Sequence, residues 1–317
     1  MLDLTVAIRT YNRADALAAL LDRLYQQVHI EDIRWEVLVV DNNSSDHTAE
    51  VVQNHQSNWP FTQPLRYVFE PTQGAAIARQ RAFGEAHGQW VGFIDDDNLP
   101  APDWVYQAHL FSLAHPQIGA YGGQIQLKAN SKLPKNFHQI AVYLAIIERG
   151  KSEFCYNHRP SNVLPPGTNI VIAKQVWLES VPQDMRLLGP SGKNLSSKGE
   201  DIELLSHIQK AGWEIWYAPS LQCSHKIPEW RLERSYLLSL AWGVGLGRHS
   251  IRMLRLKKEE KYLMPIAYFF NDLRNLIHSL IKNIGSFQKD TVCAFNLILA
   301  VSILISPIHS LFDPRSK

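Results

Sequence analysis

Three consecutive carboxylates, Asp95-Asp96-Asp97, end the apolar run Trp90-Val91-Gly92-Phe93-Ile94. Such a run reads as a buried strand, so it delivers the three acids together at one strand end. Crowded like charges repel unless a cation sits among them. A hard divalent ion with oxygen ligands, Mg²⁺ or Mn²⁺ sharing substrate phosphates, is the chemistry that such a set supports. A solvated acidic turn is the plainer alternative. A second acidic pair, Glu200-Asp201, follows a turn-rich stretch from Leu187 to Gly199 that reads as a mobile loop, and it opens a helical pattern of Ile202, Leu204, Leu205 and Ile208. Acids at a helix start are favoured by the macrodipole without any catalysis, and the same position suits a general base. His225 stands near Cys223 beyond Trp213–Ala218, where a lone histidine is ordinarily a surface or satisfied core residue.

The elements that must position these groups alternate between strand and helix. Leu4–Ile8 reads as a strand, Ala14–Gln27 as a helix with Leu17, Leu20, Leu21 and Leu24 on one face, and Trp35–Val40 as a second strand. Asp46 is placed to N-cap a helix running to Asn54. Arg66–Phe69 is a third strand, Gly74 opens a helix to Ala86, the fourth strand runs into Asp95, and a helix over Asp103–Leu113 follows the breakers Pro100 and Pro102. This pattern predicts an α/β fold with a mostly parallel, helix-covered sheet. Ligands of such sheets bind beyond the carboxyl ends of the strands, which makes neighbours of Thr10-Tyr11-Asn12-Arg13, the Asp41 loop and the Asp95 cluster. No P-loop occurs, no G-x-G-x-x-G follows the first strand, and the spacing from Asp95 does not fit an EF-hand. Beyond Gly122-Gly123 the alternation weakens, although Gly167-Thr168-Asn169 reads as a turn into the strand Ile170–Ile172.

Three segments in order, Val6-Ala7-Ile8-Arg9-Thr10-Tyr11-Asn12-Arg13, Val39-Val40-Asp41-Asn42-Asn43-Ser44-Ser45-Asp46 and Phe93-Ile94-Asp95-Asp96-Asp97, resemble glycosyltransferase family 2 over roughly residues 3–250. The resemblance implies an inverting, nucleotide-sugar-dependent enzyme with the type A glycosyltransferase fold. By it, Thr10, Tyr11, Asn12, Arg13 and Asp41 line a nucleoside pocket, with Asp96 and Arg79 as further donor contacts. Asp95 and Asp97 form the D-x-D pair, and Asp97 is the direct ligand of Mg²⁺ or Mn²⁺. Asn169 falls in a segment near the sugar. Asp201, with Glu200 beside it, matches the catalytic base. His225 would be a metal or diphosphate contact, and Arg231 a phosphate contact. Plainer readings stay open for Asp41 as a turn residue, Arg79 as a solvated helix cation and Tyr11 as a core aromatic. Arg9 departs from the family's usual proline. The Gln-x-x-Arg-Trp motif of processive synthases is missing: Ile33-Arg34-Trp35 lies in the wrong region, with Glu31 where glutamine is needed. That favours single-sugar addition.

With 32 basic and 30 acidic side chains the chain is nearly neutral, and no global field points to nucleic acid. Cys155, Cys223 and Cys293 form no framework and no CxxC site, which suits a reducing compartment. Asp3 and the strand-like Leu4–Ile8 read against a signal peptide. Near the other end, Arg248, Arg252, Arg255, Lys257, Lys258 and Lys261 precede an apolar helical stripe from Ile266 to Ile284, interrupted by Asp272 and Arg274. Thr291–Phe312 then contains no Asp, Glu, Lys or Arg, about the ~20 residues that cross a bilayer. The expected organisation is a catalytic domain over 1–250, with a nucleotide-binding half (1–115) and an acceptor half (116–250). A helical, membrane-associated tail over 251–317 would hold it at the cytoplasmic face. The expected partners are a UDP-sugar donor and a glycan or lipid-linked acceptor. The rivals are a sugar-phosphate nucleotidyltransferase, whose glycine-rich basic loop is missing here, and an inert membrane scaffold, which has no need of Asp95, Asp97 and Asp201.

Overall fold

A computed structural model describes residues 2–312 except 63, 130–132, 159–163, 186, 188, 190–198 and 284, so most of the turn-rich loop before Gly199 lies outside the described residues. In chain order the elements are β1 (Leu2–Thr10), α1 (Ala14–Tyr25), β2 (Trp35–Asp41), α2 (Thr48–Ser57), β3 (Leu65–Phe69), α3 (Ala75–Glu85) and β4 (Gly88–Phe93). There follow β5 (Asn98–Pro100), α4 (Trp104–Ala114), β6 (Ala120–Lys128), β7 (Phe154–Cys155), β8 (Ile170–Ala173), α5 (Lys174–Ser180), α6 (Glu200–Lys210) and β9 (Ile215–Lys226). Four helices close the chain: α7 (Arg234–Leu246), α8 (Arg248–Arg255), α9 (Met264–Asn283) and α10 (Thr291–Phe312).

The strands make one sheet in the order β3-β2-β1-β4-β8-β6-β9-β5, with β7 also on β9. β3, β2, β1 and β4 are parallel, as the helix-linked alternation predicts. The second half is mixed rather than parallel. β8 runs antiparallel to β4 and β6, β9 runs parallel to β6, and β5 and β7 are antiparallel to β9. Parallel neighbours require a long crossover, and much of this half is joined by irregular segments that impose no common direction. Four strands, β5, β6, β7 and β9, escaped the sequence pattern, two of them for a local reason. β5 ends in Pro100 on the sheet edge, where a missing N–H is tolerated. β6 contains Gly122-Gly123, a weak strand signal.

Leu4, Val6 and Ile8 face α1 and α4, where Leu17, Leu20, Leu21, Leu24, Trp104, Val105 and Ala108 complete one core. On the other face Phe93 meets Phe83 of α3 at 5.2 Å, and Phe83 stacks on Trp177 of α5 at 3.9 Å between ring centroids. Cover on both faces explains why β1 and β2 read as continuous apolar runs. Between Gly123 and Gln124 the register jumps, their β9 partners being Ala218 and Gln222. A Cβ on Gly123 would lie 1.9 Å from the Leu221 carbonyl oxygen, so only glycine permits this offset.

By its contacts the chain divides into two compact units. The first comprises Met1–Lys128, Ala145–Gln183 and His207–Lys226 and contains all nine strands. The second comprises Ala129–Leu144, Asp184–Ser206 and Ile227–Lys317. Within it α10 buries Val292, Ala294 and Phe295, and its Ser302 hydroxyl donates to the Ala241 carbonyl of α7 at 3.3 Å. A Cβ on Gly245 would sit 1.8 Å from that hydroxyl oxygen. Arg252 clamps Asp272 of α9 at 2.5 and 2.9 Å, and Arg255 donates to Ser206 at 3.1 Å. Arg252 and Arg255 of the basic segment are therefore partly internal fasteners of this unit.

Candidate active site

The chain leaves β4 through Ile94, whose N–H donates to Ala7 of β1, and enters the three acids. Each carboxylate has a different environment. Asp95 accepts from Arg9 at 3.0 Å, and Arg9 also donates to the Ala75 carbonyl at 3.0 Å. The Asp95 N–H donates to the Thr168 hydroxyl at 2.9 Å, tying the turn before β8 to the cluster. Asp96 points inward, accepting from Thr10 at 3.0 Å and from Arg13 at 3.2 Å. Burial pushes its pKa up to about 7; Asp97 and Asp95 add to the rise, while Arg13 and the Thr10 hydroxyl oppose it. Asp97 accepts from Arg13 at 2.8 Å and from the Asn98 side chain at 3.0 Å. Burial alone would lower the Arg13 pKa, but Asp96 and Asp97 more than reverse this and hold the guanidinium charged.

The β5–β9 ladder pairs Asn98 with His225, and so brings buried His225 Nε2 to 3.5 Å from Asp97 Oδ1. Sequence alone left this histidine's location open. Carboxylate oxygens and one imidazole nitrogen, in a cluster that otherwise shares two arginines, fit a divalent cation such as Mn²⁺ or Mg²⁺. Arg9, which the sequence marked only as a departure, belongs to this cluster. The signal for it was its place at the carboxyl end of β1.

Beside the acids, the loops after β1 and β2 interlock. The Asn12 N–H donates to the Ser44 hydroxyl at 2.9 Å, and the Ser45 N–H donates to the Asn12 side-chain oxygen at 2.7 Å. Asn12 and Asn43 both have φ in the left-handed region (51° and 67°), which asparagine tolerates better than most residues. Buried Asp41 accepts from the Ser44 N–H at 2.9 Å and from the Tyr67 hydroxyl at 2.7 Å. Asp41 is thus a turn residue that also faces Tyr67, a partner the sequence reading missed. Tyr11 is exposed and is no core aromatic. Asp46 serves two helices, accepting the Ala14 N–H at 3.1 Å and the Thr48 N–H at 3.1 Å. It therefore stands one residue before the α2 N-cap, His47, rather than in that position.

Other residues move away from their expected surroundings. Arg79 is buried, donating to the Gly167 carbonyl at 3.1 Å with its guanidinium 5.1 Å from the Phe93 ring centroid; it is not a solvated helix cation. Asn169 is fully buried. Its side chain accepts from Trp104 Nε1 at 2.6 Å and donates to the Gln124 and Leu221 carbonyls at 2.9 and 3.0 Å. It therefore plugs the register offset of β6 and β9 and presents no amide to a ligand, contrary to the expected sugar contact. Glu200 and Asp201 lie in the second unit, in the first turn of α6, where Asp201 accepts the Ile202 N–H at 2.9 Å. Arg231 is also in that unit, with Nε donating to the Tyr236 hydroxyl at 3.2 Å.

The family model described as Glycosyl transferase family 2 matches residues 5–175, more than half of the chain. The succinoglycan biosynthesis protein ExoM of Rhizobium meliloti is 23% identical over 241 residues, 76% of this chain and 70% of that protein. The putative teichuronic acid biosynthesis glycosyltransferase TuaG of Bacillus subtilis is 30% identical over 95 residues, 30% of this chain and 35% of that protein. Among solved structures, the mannosyltransferase PcManGT of Pyrobaculum calidifontis, in complex with GDP-Man and Mn²⁺, superimposes with a TM-score of 0.61 at 19% identity, covering 99% of this chain and 90% of that one. S. aureus TarS 1-349 in complex with UDP-GlcNAc gives 0.55 at 16% identity, covering 97% and 92%. These likenesses are of the type A glycosyltransferase fold. A family match across β1 to β8, on a sheet of that fold, assigns the chain: it is a glycosyltransferase and belongs to glycosyltransferase family 2.

Proposed function

We propose that the enzyme transfers one sugar from a UDP-sugar to a hydroxyl of a glycan or lipid-linked acceptor, with inversion, in polysaccharide or glycoconjugate assembly. The observation that carries this reading is the convergence of Asp95, Asp96, Asp97, Arg13 and His225 at the carboxyl ends of the parallel strands. Both solved relatives named above hold a nucleotide-sugar, and PcManGT also holds Mn²⁺. In this chain Asp97 and His225, with Asp95, would hold Mg²⁺ or Mn²⁺. A bound ion supplies charge neutralisation for the departing diphosphate. Arg13, half-exposed beside these acids, can turn toward phosphate. Thr10 and Asp41 would border the nucleoside.

Asp201 is assigned as base on its match to the family's Glu-Asp motif. Its carboxylate takes the acceptor hydroxyl proton as that oxygen bonds to the anomeric carbon, and the bond from that carbon to the diphosphate oxygen breaks. Glu200 is the neighbour that would substitute for it.

The reading extends to a cytoplasmic-face membrane location. α10 has 22 residues, and its most apolar 18-residue stretch has a mean hydropathy of 2.2, long and apolar enough to cross a bilayer. The core helix of a soluble protein can pass the same test, but only 28% of the apolar stretch of α10 is buried. The test of activity is release of UDP from a panel of UDP-sugars, with acceptor glycans, in Mn²⁺ or in EDTA. Turnover that needs the metal is expected. Asp201→Asn keeps size but loses proton affinity, so donor affinity should persist while transfer slows at least ~100-fold. No turnover across the panel, or full activity in Asp201→Asn, defeats the corresponding part.

A further inference from the structure

We infer that Cys155, His158 and Glu214 form a zinc site at the end of β9 opposite the carboxylate cluster. One ligand atom from each residue lies within 4.8 Å of the other two, and His158 Nε2 is 3.8 Å from Glu214 Oε1. From Glu214 to His225 the strand covers up to about 36 Å at ~3.3 Å per residue, so this cluster is separate from Asp97.

The fold builds the cluster from three directions. β7 pairs antiparallel with β9, setting Cys155 opposite Trp216. A 3-10 turn over Tyr156–His158 then turns the chain so that His158 comes back toward the sulfur. Glu214 directly precedes β9, and its Oε2 accepts from Trp216 Nε1 at 2.8 Å, leaving Oε1 toward His158. Asn157 pins the turn. Its side-chain oxygen accepts the Ile215 N–H at 3.1 Å and Gln209 Nε2 at 3.0 Å, and its amide donates to the Trp213 carbonyl at 3.1 Å. Outer hydrogen bonds of this kind orient metal ligands.

The donors are one thiol, one imidazole and one carboxylate, a borderline-soft set that suits Zn²⁺, unlike the harder set around Asp97. Burial raises the Cys155 pKa, against the lowering effect of the Asn157 and His158 backbone N–H groups on its sulfur. A cation there would displace the thiol proton, and those N–H groups would stabilise the thiolate left behind. Tetrahedral bonds of ~2.0–2.3 Å need the ligands somewhat closer than they stand. The His158 side chain, 74% exposed, is free to close that gap. The ion would fasten β7 and its turn to β9. Cys and His alone form no recognisable motif, because the third ligand arrives from a distant segment.

Co²⁺ titration of the metal-free full-length protein tests the site. We expect a sulfur-to-cobalt charge-transfer band in the near ultraviolet, saturating within two equivalents, since the Asp97 cluster can take a second ion, and erased by Zn²⁺. Cys155→Ser should remove the band. His158→Ala, at an exposed position the fold tolerates, should weaken Co²⁺ affinity read from it at least ~10-fold. Cys223→Ser, which alters the thiol beside Asn98, should leave it unchanged. A wild-type protein with no such band, a band that survives Cys155→Ser, or a band lost in Cys223→Ser overturns the site.

Discussion

At Asp97 a guanidinium, a side-chain amide and an imidazole converge on one carboxylate. Asp96, the next residue back, is turned inward onto Thr10 and Arg13. Adjacent acids therefore differ in their surroundings: Asp96 holds the exit of β1, while Asp97 gathers Arg13, Asn98 and His225 around the position proposed for a cation. Asp97→Ala should abolish Mn²⁺-dependent UDP binding, measured by calorimetry, and lower the melting temperature moderately, because the carboxylate is largely buried and accepts from Arg13 and Asn98. Unchanged UDP affinity in the presence of metal would remove Asp97 from the metal site. Arg9 and Arg13 fit the same picture, since both cations stand among the carboxylates and lessen their mutual repulsion.

Among the elements, β9 is the one on which the site depends most. Its first residues pair with β7, its middle slips against β6, and its last residues carry His225 to β5. Asn169 makes the slip affordable by bonding the carbonyls of Gln124 and Leu221 on either side of it. Asn169→Ala strands these carbonyls and the Trp104 N–H, each buried group left unpaired being worth ~1–3 kcal/mol. A loss of about 3 kcal/mol in chemical denaturation is expected, given partial relaxation. UDP affinity of the folded variant should stay near that of the wild type. The reverse result, intact stability with weakened donor binding, would return Asn169 to the sugar-contact role.

At the scale of the whole molecule, the C-terminal helices are both part of a folded unit and carriers of apolar surface. α10 packs on α7 through Ser302 and on Tyr143 through buried Phe295, so removing it would strip a core rather than detach an anchor. α9 buries Asp272 toward Arg252 yet leaves Ile266, Phe270, Ile277 and Ile281 exposed at helical spacing. Lys257, Lys258 and Lys261 stand exposed just before it. Such a helix suits the plane of a membrane surface better than a span. The full-length protein should float with vesicles containing anionic lipid. Replacing the three lysines by alanine should weaken partitioning up to ~100-fold at low salt, at ~1 kcal/mol per lysine near the surface. A protein that stays wholly unbound to such vesicles would end the membrane proposal.

The sequence by itself determined the parallel half of the sheet and the acid cluster at its edge. Strand runs such as Val37–Val40 and the leucine face of α1 are local patterns, and a strand end carries its next residues to a predictable place. Only the tertiary structure decided what surrounds that cluster. His225 reaches Asp97 because β5 pairs with β9, and Asn169 faces inward because β6 and β9 slip at Gly123. Arg79 is buried against Phe93, and Glu214 meets Cys155 and His158. Each of these depends on strand order, direction and register between distant segments. Local periodicity carries no information about them, because a strand's own residues dictate which of its faces is apolar but not which partner will lie beside it.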